Sequence, residues 1–98
     1  MQQKIKEFCK KHNLNNDPEH CALDLVSEVG ELCKELLKMT DYGKKPLKFK
    51  QEVGEELGDA LYSLITLANS LDIDLDAELK KALNKYEKRI KKKGNAGS

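Results

Sequence analysis

The sequence predicts an all-α protein, a four-helix bundle that assembles as a helical homo-oligomer. Leu, Lys, Glu and Ala dominate its composition, Trp is absent and aromatic residues make up 5%, a profile typical of helical chains. Apolar residues recur at spacings of three and four, and no segment alternates as a strand would. The connections are short, which makes neighbouring helices antiparallel. A chain of 98 residues is one domain with a modest core. Association with further copies is the usual remedy for so small a core.

The first helix is expected over residues 2–12, with Ile5, Phe8, Cys9 and His12 on one stripe. "NLNND" breaks it. In "DPEH", Asp17 serves as N-cap, Pro18 takes the first helical position and Glu19 lies in the first turn, which together start a second helix. That helix runs from Pro18 to Met39 or Thr40, with Leu23, Val26, Leu32, Cys33, Leu36 and Leu37 as its predicted buried side. "TDYGKKP" is a loop punctuated by Gly43 and Pro46. A third helix follows over residues 47–70, its half "LYSLITLANSL" apolar enough to belong to the core. Asp74 or Asp76 caps a fourth, which runs to about Lys92 along a stripe of Leu75, Leu79, Leu83, Tyr86 and Ile90. The domain is thus expected over residues 1–93, with 94–98, "GNAGS", as a flexible tail.

Composition also excludes some functions. A net charge of +1 gives no reason to expect nucleic acid, and the basic run "KYEKRIKKK" reads as a solvated helix face. No apolar run is long enough for a bilayer. Cys9, Cys21 and Cys33 are odd in number and lack a C-x-x-C pair. They read as free thiols of a reducing cytoplasm, and residues 1–12 have no apolar leader segment.

Two stretches combine features that both look costly. "EVGEL" at residues 28–32 returns as "EVGEE" at 52–56 and "ELGDA" at 56–60. A mid-helix glycine costs about 1 kcal/mol relative to alanine, and carboxylates on one face repel. Residues three apart share a helix face, so Glu28 and Glu31 point together from the second helix, and Glu56 and Asp59 from the third. Glu35 and Glu52 extend the two rows. Antiparallel packing makes the pairs converge, and converging carboxylates need a cation to stay ionised. Oxygen-only ligation suits Mg²⁺ or Mn²⁺. Neither motif has the Glu-x-x-His of a ferritin-like di-iron centre. Mg²⁺ recruits phosphates, so a phosphorylated small molecule is the implied partner. Gly30 and Gly58, inside the pairs, would let helices, metal or phosphate come close. A solvent-facing hairpin of Glu–Lys pairs is the competing account of any single E-x-x-E.

"LDLVSEVGELCKELLK" followed by "EVGEELGDALYSLITLANSLDIDL" resembles the MazG-like branch of the all-α NTP pyrophosphohydrolases. The family signature, E-x-x-E, a spacer and E-x-x-D, appears as Glu28-x-x-Glu31 and Glu56-x-x-Asp59, and the likeness covers residues 2–92. It implies that Glu28, Glu31, Glu56 and Asp59 bind Mg²⁺. It also implies hydrolysis of a nucleoside triphosphate between the α and β phosphates, to monophosphate and pyrophosphate, as nucleotide-pool house-cleaning. Glu31 is the expected activator of water. Lys85 and Arg89 of the last helix, with Lys45 (and Lys44) of the loop, are the expected phosphate contacts. Relatives often stack the base on Trp, which is absent here; His20, Tyr42, Phe49 or Tyr62 stands in, and Tyr62 reads rather as packing. The resemblance also implies a homodimer or homotetramer with sites near the interface. Competing substrates are dCTP, dUTP and phosphoribosyl-ATP. The competing function is a non-catalytic helical dimer that serves as a binding or regulatory module.

Overall fold

A computed structural model describes residues 1–14, 17–46 and 51–93. It contains α1 (Gln2–Lys11), α2 (Pro18–Met39), α3 (Gln51–Ser70) and α4 (Leu75–Lys93). There is no strand among the described residues. The fold is therefore all-α. The expected start of the third helix at residues 47–50 and the tail at 94–98 lie outside the described residues.

Local chemistry sets the helix ends. Asp17 adopts an extended conformation, and its side chain accepts a hydrogen bond from the His20 backbone N–H at 3.0 Å. This satisfies one of the first-turn donors, and Pro18 at the next position has none to satisfy. Beyond Met39 the chain turns through Asp41, Tyr42 and Gly43, all at positive φ. Gly43, at φ +86°, is the residue for which that conformation costs least; its N–H donates to Thr40 Oγ1 at 3.0 Å. Between α3 and α4, Asp72 takes the left-handed conformation at φ +54°. Asp74 then caps α4 by accepting from the Ala77 N–H at 3.2 Å.

Helices α2 and α3 form the principal hairpin, with α1 against α3. The hairpin is antiparallel: Glu28 lies beside Glu56, while Cys21, about two turns earlier, lies near Tyr62. The inward face of α2 carries Cys21, Leu25, Glu28, Leu32, Glu35 and Met39, in steps of four and three. The opposing face of α3 carries Val53, Glu56, Ala60, Ser63 and Leu67. Cys9, Ile65 and Ala68 complete the buried apolar set. Buried Thr66 donates its hydroxyl to the Ser63 carbonyl at 2.9 Å, so that hydroxyl is satisfied within its own helix.

This packing corrects the predicted buried stripe of α2. Only Leu32 of that stripe turns inward; Leu23 and Val26 are 66% and 70% exposed, and Cys33, Leu36 and Leu37 are also exposed. The helix bears two seams of similar spacing, one of which carries Glu28 and Glu35. A single α3 can cover only one, and it covers the acidic one. The same holds for α3, whose Leu57, Leu61 and Leu64 face outward.

Helix α4 departs from the hairpin and contains no buried residue. Its stripe of Leu79, Leu83, Tyr86 and Ile90 is exposed. The radius of gyration, 16.7 Å, exceeds the roughly 13 Å of a compact chain of this length. Between α3 and α4 opens an apolar cavity of about 470 Å³.

Candidate active site

The acidic motifs meet where α2 crosses α3. One carboxylate oxygen each from Glu28, Glu56 and Asp59 lies within 4.8 Å of the other two. Glu28 and Glu56 are half-buried in the seam, and Asp59 stands exposed at its rim. Glu31 is exposed and outside this trio, although its charge still reaches Glu56. Glu35 lies about two turns beyond Glu28 along the seam, with Lys38 Nζ 3.7 Å from its carboxylate.

The carboxyl of Glu56 is held above its ordinary range. Loss of water at the helix junction is the main cause, followed by repulsion from Asp59, Glu28, Glu31 and Glu35. Glu56 is thus the point at which the acidic field converges, and a cation there would offset that repulsion.

The donor set fits a hard divalent ion. It is all oxygen and includes no His or Cys. Octahedral Mg²⁺ at about 2.1 Å places its ligand oxygens roughly 3–4 Å apart, so the trio needs only a small contraction.

The remaining predicted site residues are dispersed. His20 sits two turns before Glu28 and is largely exposed; its Nδ1 lies 2.6 Å from Asp17 Oδ2. That hydrogen bond, then the charges of Asp17, Asp24 and Glu19, raises the His20 pKa above 6.5. Asp17 is correspondingly lowered, first by the His20 backbone N–H and then by its side chain. Lys45 is exposed in the loop after α2, where its N–H donates to the Thr40 carbonyl at 2.8 Å. On α4, Lys85 and Arg89 flank the Tyr86 ring, 5.1 and 5.7 Å from its centroid. Because α4 does not pack along α2, packing within one chain does not carry this cationic patch onto the acids.

Of the aromatic candidates, Tyr62 belongs to the packing of α1 on α3. Its hydroxyl lies 3.6 Å from Cys9 Sγ, and Phe8 meets its ring edge-on at 6.2 Å. The Cys9 contact and burial push its pKa up to about 12. Tyr42 is exposed in the loop, and Phe49 lies outside the described residues.

The glycines act differently from expectation. A Cβ added at Gly30, Gly54 or Gly58 would meet nothing, so none of them is needed for α2 and α3 to approach. Gly30 lies instead on the outward seam of α2, among Leu23, Val26, Cys33 and Leu37.

Residues 16–93, with this acidic hairpin inside them, match the MazG nucleotide pyrophosphohydrolase domain. The chain belongs to that family. Its MazG-like hairpin is similar to YpjD of Bacillus subtilis, an uncharacterized protein, at 40% identity over 70 residues, 68% of this chain and 61% of YpjD. It is also similar to the nucleoside triphosphate pyrophosphohydrolase/pyrophosphatase MazG of Thermotoga maritima, at 38% identity over 76 residues, 78% of this chain and 25% of that protein. The chain therefore aligns with less than two thirds of the length of either curated relative. A crystal structure of B. subtilis YpjD, described as a candidate pyrophosphatase, superposes with a TM-score of 0.73 at 34% identity and covers 90% of both chains. The MazG-like fold thus extends over the four helices.

Proposed function

We propose that this MazG-family chain hydrolyses a nucleoside triphosphate between its α and β phosphates, releasing the monophosphate and pyrophosphate. One observation carries the reading: half-buried Glu28 and Glu56 converge with Asp59, with the Glu56 carboxyl raised above its ordinary range by lost water and by its acidic neighbours. Such a site gains most by taking up positive charge. Mg²⁺, with Mn²⁺ as substitute, would be held by Glu28, Glu31, Glu56 and Asp59, and would supply phosphate binding, charge neutralisation and a more acidic water. The name of the Thermotoga relative supports the substrate class.

Each residue has a distinct part. Glu28 and Glu56 form the floor of the site and Asp59 its rim. Glu31, exposed beside them, orients the attacking water and takes its proton. The water oxygen bonds to the α-phosphorus, the bridging P–O bond breaks and pyrophosphate leaves with the bonding pair. Lys85 and Arg89, with Lys45, bind the phosphates, and His20 borders the base. Since α4 stands away from its own hairpin, Lys85 and Arg89 reach the acids of a second copy in a homodimer or homotetramer. The unit is the domain 1–93. Cys9, Cys21 and Cys33, all free thiols, suit a cytoplasmic setting. The role in the cell is removal of unwanted nucleotides.

The test is a panel of nucleoside triphosphates with Mg²⁺, following pyrophosphate and orthophosphate separately. Pyrophosphate and monophosphate in equal amounts are expected, and Glu56→Gln abolishes them. Orthophosphate as sole product rules out α–β cleavage. No turnover of any nucleotide transfers the protein to a binding role.

A further inference from the structure

We infer that Gln2 is a positioning residue: it sets the direction of α4, and thereby the placement of Lys85 and Arg89. The consequence for substrate rests on the function proposed above, whereas the mechanical claim does not. Gln2 lies on α1, before the residues 16–93 that match the MazG domain.

The side-chain amide of Gln2 uses both its nitrogen and its oxygen at one corner of the fold. Its Oε1 accepts from the Leu75 backbone N–H at 2.7 Å. That N–H opens α4 and has no partner inside the helix. Its Nε2 donates to the Ile73 carbonyl at 2.7 Å and to Asn69 Oδ1 at 3.0 Å. Asn69 returns a bond from Nδ2 to the Gln2 carbonyl at 3.2 Å. One residue therefore ties the start of α1 to the end of α3, the turn and the first turn of α4.

Among the described residues, α4 packs little on the other helices. None of its residues is buried, and the cavity between it and α3 keeps Leu75 and Leu79 apart from Leu61 and Leu64, with Met1 and Gln2 in the same wall. From Leu75 to Arg89 the helix is a lever of about 21 Å, so a swing of roughly 10° at its base moves Arg89 by about 4 Å. Phosphate contacts do not tolerate such a displacement. If Gln2 merely fastened α1 to α3, its loss would lower stability and leave α4 where it is.

The test uses the full chain, with spin labels at Lys34→Cys and Lys92→Cys in a Cys33→Ser background, and the labelled chain diluted in unlabelled protein. With Gln2 intact a single narrow α2–α4 distance distribution is expected. Gln2→Ala broadens it. The same variant raises KM for the best nucleotide at least tenfold, while kcat stays within about threefold and Mg²⁺ affinity within about twofold, because the acids sit on α2 and α3. Gln2→Glu, which keeps the acceptor for Leu75, recovers part of the KM. An unchanged distribution, or a broadened one with unchanged KM, overturns the inference. Should Gln2→Ala fail to fold, Asn69→Ala removes one partner and must shift both readouts the same way, by less; no shift overturns it. If the wild type turns over no nucleotide, the functional reading falls on its own, and the label distances still decide whether Gln2 holds α4.

Discussion

Glu56 concentrates the electrostatic cost of the site. Its folded pKa is raised above the usual 4.5. Its favourable contribution is therefore fully present below pH 4.5 and is lost as pH rises through the raised value. Without divalent ions, thermal melts should show stability falling with pH across that window, and saturating Mg²⁺ should flatten the slope. Glu56→Gln removes the repelled charge. The variant should melt higher than wild type without metal, gain little from Mg²⁺ and lose at least about a hundredfold in pyrophosphate release; a variant that melts lower would show that Glu56 is not under strain. Asp17 and His20 carry the opposite kind of shift. Asp17 is lowered, so its contribution exists above pH 3.8 and disappears as pH falls through its folded value. His20 is raised, so its contribution exists below pH 6.5 and disappears as pH rises through its folded value. The pair thus stabilises most between these limits. Asp17→Asn should return the His20 titration, followed by NMR, toward 6.5.

At the scale of elements, caps were more legible than faces. Asp17-Pro18 acts locally, and the start of α2 followed from it; for α4 the sequence offered Asp74 or Asp76, and Asp74 is the cap. The face of α2 did not follow, because hydrophobic periodicity cannot choose between two seams of equal spacing. The seam 21-25-28-32-35-39 is less apolar than its competitor, and it is the one α3 covers. The same geometry explains how the acids divide. Glu28 and Glu56 fall on the inward seams, whereas Glu31 and Asp59, about 60° around their helices, fall outside them. Spacing of three predicted proximity within each pair but not which member is buried. Gln2 had no local signal, since its partners are 67 to 73 residues away. Gly30 supplies a prediction of its own. A methyl there meets nothing within the chain, so Gly30→Ala should raise stability by about 1 kcal/mol in denaturant melts. Gly30→Leu should instead reduce self-association at least tenfold by sedimentation, if the outward seam of α2 is where a second copy rests.

A single chain leaves much apolar surface uncovered. Leu23 and Val26 on α2, Leu57 and Leu61 on α3, and Leu79 and Leu83 on α4 are each more than a third exposed. Isolated exposed leucines are ordinary; stripes of them on three helices are the kind of surface that the second copy proposed above would cover. A second copy would cover these stripes and bring its basic α4 toward the acidic hairpin, a juxtaposition that opposite charge favours. Mixing two inactive chains distinguishes this from a site complete within one chain. Glu56→Gln spoils the acids of its own hairpin; Lys85→Ala with Arg89→Ala spoils the cations of its own α4. If the cations act across the interface, a mixed dimer has one site with both defects and one with neither. Random exchange at equal amounts then restores about a quarter of wild-type pyrophosphate release. If the cations act within their own chain, every site in the mixture keeps one defect and no activity returns, however long the subunits exchange. Leu61→Lys in either chain should block the restoration by preventing assembly, which separates failure to exchange from failure of the shared site.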